Sequence, residues 1–171
     1  MKRQQLILYM LLSLSAVQVA YYYPQMPDTV ASHFGANGRA NGWMSKDGFI
    51  GLYAFMMTLM AAMFAIMPRY ILKFPDSMIN LPAKGYWLAP ERRAQTGATI
   101  QAFMLECGNA TIALMLCIFQ LAFQANLGKP QTLGDSSWVL LAAFLGYMAV
   151  WLIRFYRAFR PPPGADVPKG C

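Results

Sequence analysis

The sequence predicts an all-α membrane protein, an antiparallel bundle of four transmembrane helices with a compact outer loop, and three observations carry that expectation. The chain of 171 residues is 57% hydrophobic and only 12% charged, far from the mixture of a water-soluble domain. Its apolar residues fall into four blocks almost free of charge, each close to the roughly 20 residues a helix needs to cross about 30 Å of hydrocarbon. Its basic residues crowd the ends of those blocks and are shared unevenly between the two sides. Residues 1–160 are expected to form one four-span domain and residues 161–171 a Pro-rich tail.

The first block runs from Leu6 to Tyr23 and could be a signal peptide or an anchor. Cleavage after Ala20 would put Gln18 three residues before the bond, where a small residue is wanted, so an anchor spanning residues 6–23 is expected. The second block, residues 49–67, is closed by Pro68-Arg69, a proline that ends the helix and an arginine that reaches for headgroups. Pro90 is a favoured first helical position and Glu91 suits the positive end of the helix dipole, so a third helix is expected from Pro90 to Phe123, with residues 98–121 in the membrane. The fourth, residues 138–154, is followed by Arg154, Arg157, Arg160 and three prolines that cannot continue it.

Counting basic residues in alternate segments orients the chain. With the N-terminus inside, the cytoplasmic segments hold Lys2, Arg3, Arg69, Lys73, Lys84, Arg92, Arg93, Arg154, Arg157, Arg160 and Lys169. The outer segments hold Arg39, Lys46 and Lys129. Eleven against three predicts a bacterial inner-membrane protein with both termini cytoplasmic. The same flanking placement accounts for the net charge of +7 without nucleic acid and names the lipid bilayer as first partner. Tyr21, Tyr22, Tyr23, Trp43 and Trp138 are expected at the outer interface, and Tyr86, Trp87, Phe155 and Tyr156 at the inner one.

The outer loop from Pro24 to Asp47 is rich in turn chemistry. Pro24 and Pro27 set an extended entry, and Asp28 is placed to cap one helical turn through Phe34. Gly35, Asn37-Gly38 and Asn41-Gly42 mark reversals, and Ser45 is placed to cap the second span.

The run Pro27-Asp28-Thr29-Val30-Ala31-Ser32-His33-Phe34, then Gly38, then Asn41-Gly42-Trp43-Met44-Ser45-Lys46 resembles the signature loop of a bacterial membrane domain of unknown function. That domain also forms the N-terminal part of the sporulation-delaying toxin immunity (SdpI-like) proteins. A second run, Asn80-Leu81-Pro82 and then Tyr86-Trp87-Leu88-Ala89-Pro90-Glu91-Arg92-Arg93, resembles an inner-loop motif of stand-alone members. Gly35, Ala83 and Gly85 stand where polar residues are usual in these patterns. The resemblance implies a small multispan protein linked in some relatives to toxin immunity or signalling, and it brings no reaction.

His33 is the single histidine. With Asp28 and Asp47 as its nearest acids in sequence it lacks the company a metal site needs, so it is read as organising the loop near Phe34 and Trp43. Cys107, Cys117 and Cys171 have no knuckle spacing, and no span holds a histidine for haem, so no metal and no cofactor is expected. Glu106 lies eight residues past Ala98, roughly 12 Å along the helix. It belongs to a stripe of Gln95, Thr99, Ala102, Glu106, Asn109, Ala113, Cys117, Gln120 and Gln124 that should face the bundle or a partner chain. As a structural residue Glu106 would bond Asn109 on the next turn and Arg154 on the fourth span; as a functional one it would handle protons or cations. Around Tyr86 and Trp87, Lys84, Arg92 and Arg93 read as an interfacial anchor or a docking surface for anionic lipid or a partner.

There are no paired carboxylates facing one site and no nucleophile-base signature. The expected role is non-enzymatic: an accessory, immunity-type or regulatory subunit that binds another membrane component, a membrane protein or a second copy, through the folded outer loop and the polar face of the third span. The alternative is a small transporter or ion-conducting subunit using Glu106.

Overall fold

The computed structural model describes residues 2–128 and 130–164. Its elements are α1 (Lys2–Tyr22), β1 (Thr29–Phe34), β2 (Ala40–Ser45), α2 (Lys46–Ile66), the one-turn α3 (Lys84–Trp87), α4 (Pro90–Leu127) and α5 (Ser136–Ala158). Among the described residues four helices are long and apolar enough to cross a membrane, and they contain the four blocks expected from the sequence. Most of the expected tail, including Cys171, lies outside the described residues.

Local chemistry sets the helix ends. Ser45 is extended, with φ −64° and ψ 148°, and its hydroxyl accepts the Gly48 N–H at 3.2 Å, so it caps α2 as expected. Pro90 opens α4, where its missing N–H costs nothing. α4 outruns the expected end at Phe123 and continues to Leu127, giving 38 residues, about 57 Å at 1.5 Å per residue.

The all-α expectation needs one correction. The segment after Asp28 is a strand, not a helical turn: Thr29–Phe34 pairs antiparallel with Ala40–Ser45, with Thr29 opposite Ser45 and Phe34 opposite Ala40. β-branched Thr29 and Val30 favour the pleat, and Gly38, at φ +74°, supplies the left-handed residue that lets the chain reverse. Asp28 contributes its backbone carbonyl, which accepts the Lys46 N–H at 2.8 Å.

Each of the other three long helices packs on α4. One core joins α1, β1, α2 and α4 around Phe49, Tyr53, Ile112 and Phe123. Near the hairpin, Phe123 stacks on Tyr22 at 4.9 Å and meets Phe49 at 5.7 Å edge-on. Tyr22, expected at an interface, is 8% exposed and belongs to this core. At the far end Gly108 admits α2, since a Cβ there would fall 2.4 Å from the Cβ of Phe64. A second core wraps the first half of α4 with Ile79, Leu81, Leu88, Ile100 and Phe159.

Candidate functional site

The hairpin is fastened to the end of α4 by one side chain. Ala31 faces Trp43 across the ladder and turns its own N–H and C=O outward, to the strand's free edge. There Asn126 accepts the Ala31 N–H at 2.6 Å and donates to the Ala31 carbonyl at 3.0 Å, as a neighbouring strand would. Its amide also donates to Ala122 O at 2.9 Å, and its oxygen accepts from Gln131 at 3.1 Å. Gln131 in turn accepts the Trp43 indole N–H at 3.1 Å. The segment before α5 adds a backbone edge, with Ala40 N–H on Gln131 O at 3.2 Å and Leu133 N–H on Gly38 O at 3.0 Å. The hairpin is therefore clamped from two sides.

Most outer-loop residues singled out in the sequence meet in this hairpin. His33 Nδ1 is 2.5 Å from the side-chain oxygen of Asn41, and Gly42 lies opposite, where a Cβ would come within 3.0 Å of the histidine's own. His33 thus organises the loop chiefly through Asn41. Phe34 is half-buried, while Pro27, Asn41 and Trp43 are exposed. Lys46 lies over the Tyr23 ring at 4.6 Å and 3.9 Å from Asp28.

Below the hairpin, sequence reasoning missed a buried polar knot. Gln18, 7% exposed in the last turns of the apolar α1, accepts the Tyr53 hydroxyl at 2.6 Å. Its amide donates to Gln120 at 2.7 Å and to Leu116 O at 3.2 Å, and Gln120 donates to the Tyr22 hydroxyl. α1, α2 and α4 are tied together by groups that lipid could not satisfy. A lone glutamine inside an apolar block was the available signal.

Glu106 meets α5. Its carboxylate takes Arg154 at 2.5 and 3.3 Å and the Tyr147 hydroxyl at 2.9 Å. The expected bond to Asn109 is not formed: Asn109 donates instead to the backbone and side-chain oxygens of Gln4, both at 2.9 Å. Rotation along α4 explains it, since Glu106 faces α5 whereas Asn109 faces α1. Glu106 is thereby level with residues near the ends of its neighbours, Gln4 of α1, Phe64 of α2 and Arg154 of α5.

The inner-loop motif closes on itself. Arg93 binds Asp76 at 2.8 Å and the Leu72 carbonyl at 2.9 Å, and Arg92 lies 3.9 Å over the Tyr86 ring while donating to the Tyr86 carbonyl. Trp87 donates to Phe159 O at 2.7 Å, and its own carbonyl accepts the Thr96 hydroxyl at 2.8 Å. Arg92 and Arg93, read from the sequence as part of an interfacial anchor or a docking surface, make their contacts within the loop and the start of α4. Asn80, Pro90 and Glu91 are exposed, and Pro82 is half-buried. Among the described residues no group of three or more His, Cys, Asp or Glu could hold a metal ion.

Four helices long and apolar enough to cross a membrane, joined by polar contacts, make this a multi-pass membrane protein. Residues 10–57, which contain the hairpin and much of α1 and α2, match the family described as Domain of unknown function (DUF1648). No curated protein and no solved structure matches the chain.

Proposed function

We propose that this chain is a non-enzymatic accessory subunit of the bacterial inner membrane, of regulatory or immunity type, which recognises another membrane component with its hairpin. The observation that carries this reading is the double clamp on the hairpin by Asn126 and Gln131. A polar surface held that firmly loses little freedom on association. Trp43, 56% exposed, and Arg39, Asn37 and Asn41 give it an aromatic and polar contact face. The sequence resemblance to toxin-immunity proteins points the same way. The polar face of α4 is a weaker candidate contact, because Glu106, Asn109, Gln120 and Asn126 all bind within the chain.

The membrane frame proposed with it is an antiparallel four-helix bundle with the hairpin outside and both termini cytoplasmic. Contacts Gln4–Asn109, Phe64–Gly108 and Arg154–Glu106 at one end, and Tyr22–Phe123 and Phe49–Phe123 towards the other, support it. So does arithmetic. From Glu106 to the end of α4 is about 32 Å, and from Gln4, Phe64 and Arg154 to the hairpin ends of their helices about 27 Å each, close to the thickness of hydrocarbon. Glu106 then sits at the inner boundary beside a paired arginine, a place better suited to an anchor than to ion transport.

A photoreactive amino acid at Asn37 or Trp43, irradiated in cells, tests the recognition reading. A discrete crosslinked membrane protein or dimer is expected. Crosslinks to lipid alone, at both positions, would remove the basis for the proposal.

A further inference from the structure

Two cavities adjoin at the foot of α2, one of mixed polarity and one almost wholly apolar, with Pro68 lining both. The mixed one, about 360 Å³, is walled by Gln5, Arg69, Leu72, Gly97 and Gln101. The apolar one, about 420 Å³, is walled chiefly by Met63, Met67, Ile71, Met78 and Met104. Among the described residues neither is lined by an acidic side chain. Arg69 is exposed and joins no ion pair among the described residues, in contrast to Arg93 and Arg154.

We infer that this pair of cavities holds one anionic phospholipid, its phosphate at Arg69 between the amides of Gln5 and Gln101, and an acyl chain across Pro68 in the methionine-lined groove. Three features argue for that occupant. The polarity changes across a single residue, as it does along an amphiphile. Charge complementarity is one-sided: among the described residues the lining brings an arginine and two glutamines together with no acid, which suits a phosphodiester. The depth is also right, because Gln5 follows the Gln4 that binds Asn109 and Gln101 precedes Glu106 on the loop side of α4, where the proposed boundary would place headgroups. Unbranched methionines fit a flexible chain without demanding one shape. The site lies at the opposite end of the molecule from the hairpin and does not need the hairpin's partner.

The test uses the full chain in a mild neutral detergent and follows its thermal unfolding midpoint during titration with phosphatidylglycerol, phosphatidylcholine of the same acyl chains, or glycerol phosphate. A saturable rise is expected with phosphatidylglycerol only. Arg69→Glu should weaken its apparent affinity about tenfold or more, and Met104→Trp, which fills the groove, should weaken it as well. Arg157→Glu, a cation outside both cavities, should leave it unchanged. An equal response to phosphatidylcholine, or to phosphatidylglycerol in the Arg69→Glu protein, would mean general solvation by lipid and overturn the inference. A response to glycerol phosphate alone would show a free-phosphate site instead. None of these outcomes depends on which side of the membrane the hairpin occupies or on whether it binds a partner.

Discussion

Asn126 holds Ala31 by both backbone polar groups, at 2.6 and 3.0 Å, and so a helix residue completes the edge of a sheet. An exposed strand edge is normally left to water or to aggregation; here it is closed from within the chain. Replacing Asn126 with alanine leaves a buried N–H and C=O unpaired and is expected to cost about 1–3 kcal/mol. The measurement is denaturant unfolding of the purified protein together with limited proteolysis of residues 29–45. A variant as stable and as protease-resistant as the parent would show that the clamp is dispensable.

Gly38 occupies φ +74°, where a β-branched side chain is strained. Gly38→Val should lose about 1–2 kcal/mol and lower the folded yield, whereas Gly51→Ala, with open space around the new methyl group, should be tolerated. Comparing size-exclusion yields of the two variants separates backbone strain from a general intolerance of substitution.

Tyr53 donates its hydroxyl to Gln18 in the polar knot. Tyr53→Phe keeps the ring against Phe119 but strands one acceptor, so a loss of about 1 kcal/mol is expected. Pairing it with Gln18→Leu in a double-mutant cycle should show coupling, and strict additivity would place the two residues in separate interactions.

Glu106 distinguishes anchoring from transport. Glu106→Gln keeps an acceptor for Tyr147 and Arg154 and should retain nearly all stability; Glu106→Leu should lose on the order of 1 kcal/mol. Detergent stability and proton or cation flux in proteoliposomes are measured on the same preparations. Parent flux that vanishes in the glutamine variant would establish the transport reading instead.

Single cysteines at Asn37 and at Glu91, in a background without the native cysteines, test the orientation. An impermeant thiol reagent should label intact spheroplasts at position 37 alone, and labelling at 91 would reverse the proposed topology.

The spans were legible because hydropathy and length are written one block at a time, and so were the helix starts set by the Ser45 cap and by Pro90 as first helical residue, which need only local chemistry. The hairpin was not: Asp28 before Thr29 reads as a helix cap until the strand partner and Asn126 are known. The partners of Glu106 and Asn109 were half legible. Arg154 could be named from the charge of the opposing span, but helical rotation sends the adjacent polar residue to Gln4 instead. Gln18 was noticed only against a cleavage site, and its pairing with Tyr53 escaped notice because it joins residues 35 positions apart.

The dependence of every other span on α4 has a consequence for biosynthesis. The ribosome makes α1, the hairpin and α2 before α4, yet the partners that Gln18 and Ala31 need, Gln120 and Asn126, emerge tens of residues later. The side-chain amide of Gln18 and the free edge at Ala31 can therefore meet those partners only once α4 has been made. Residues 10–57 taken alone would lack those partners. In this chain it is α4, made last but one, that finishes the segment.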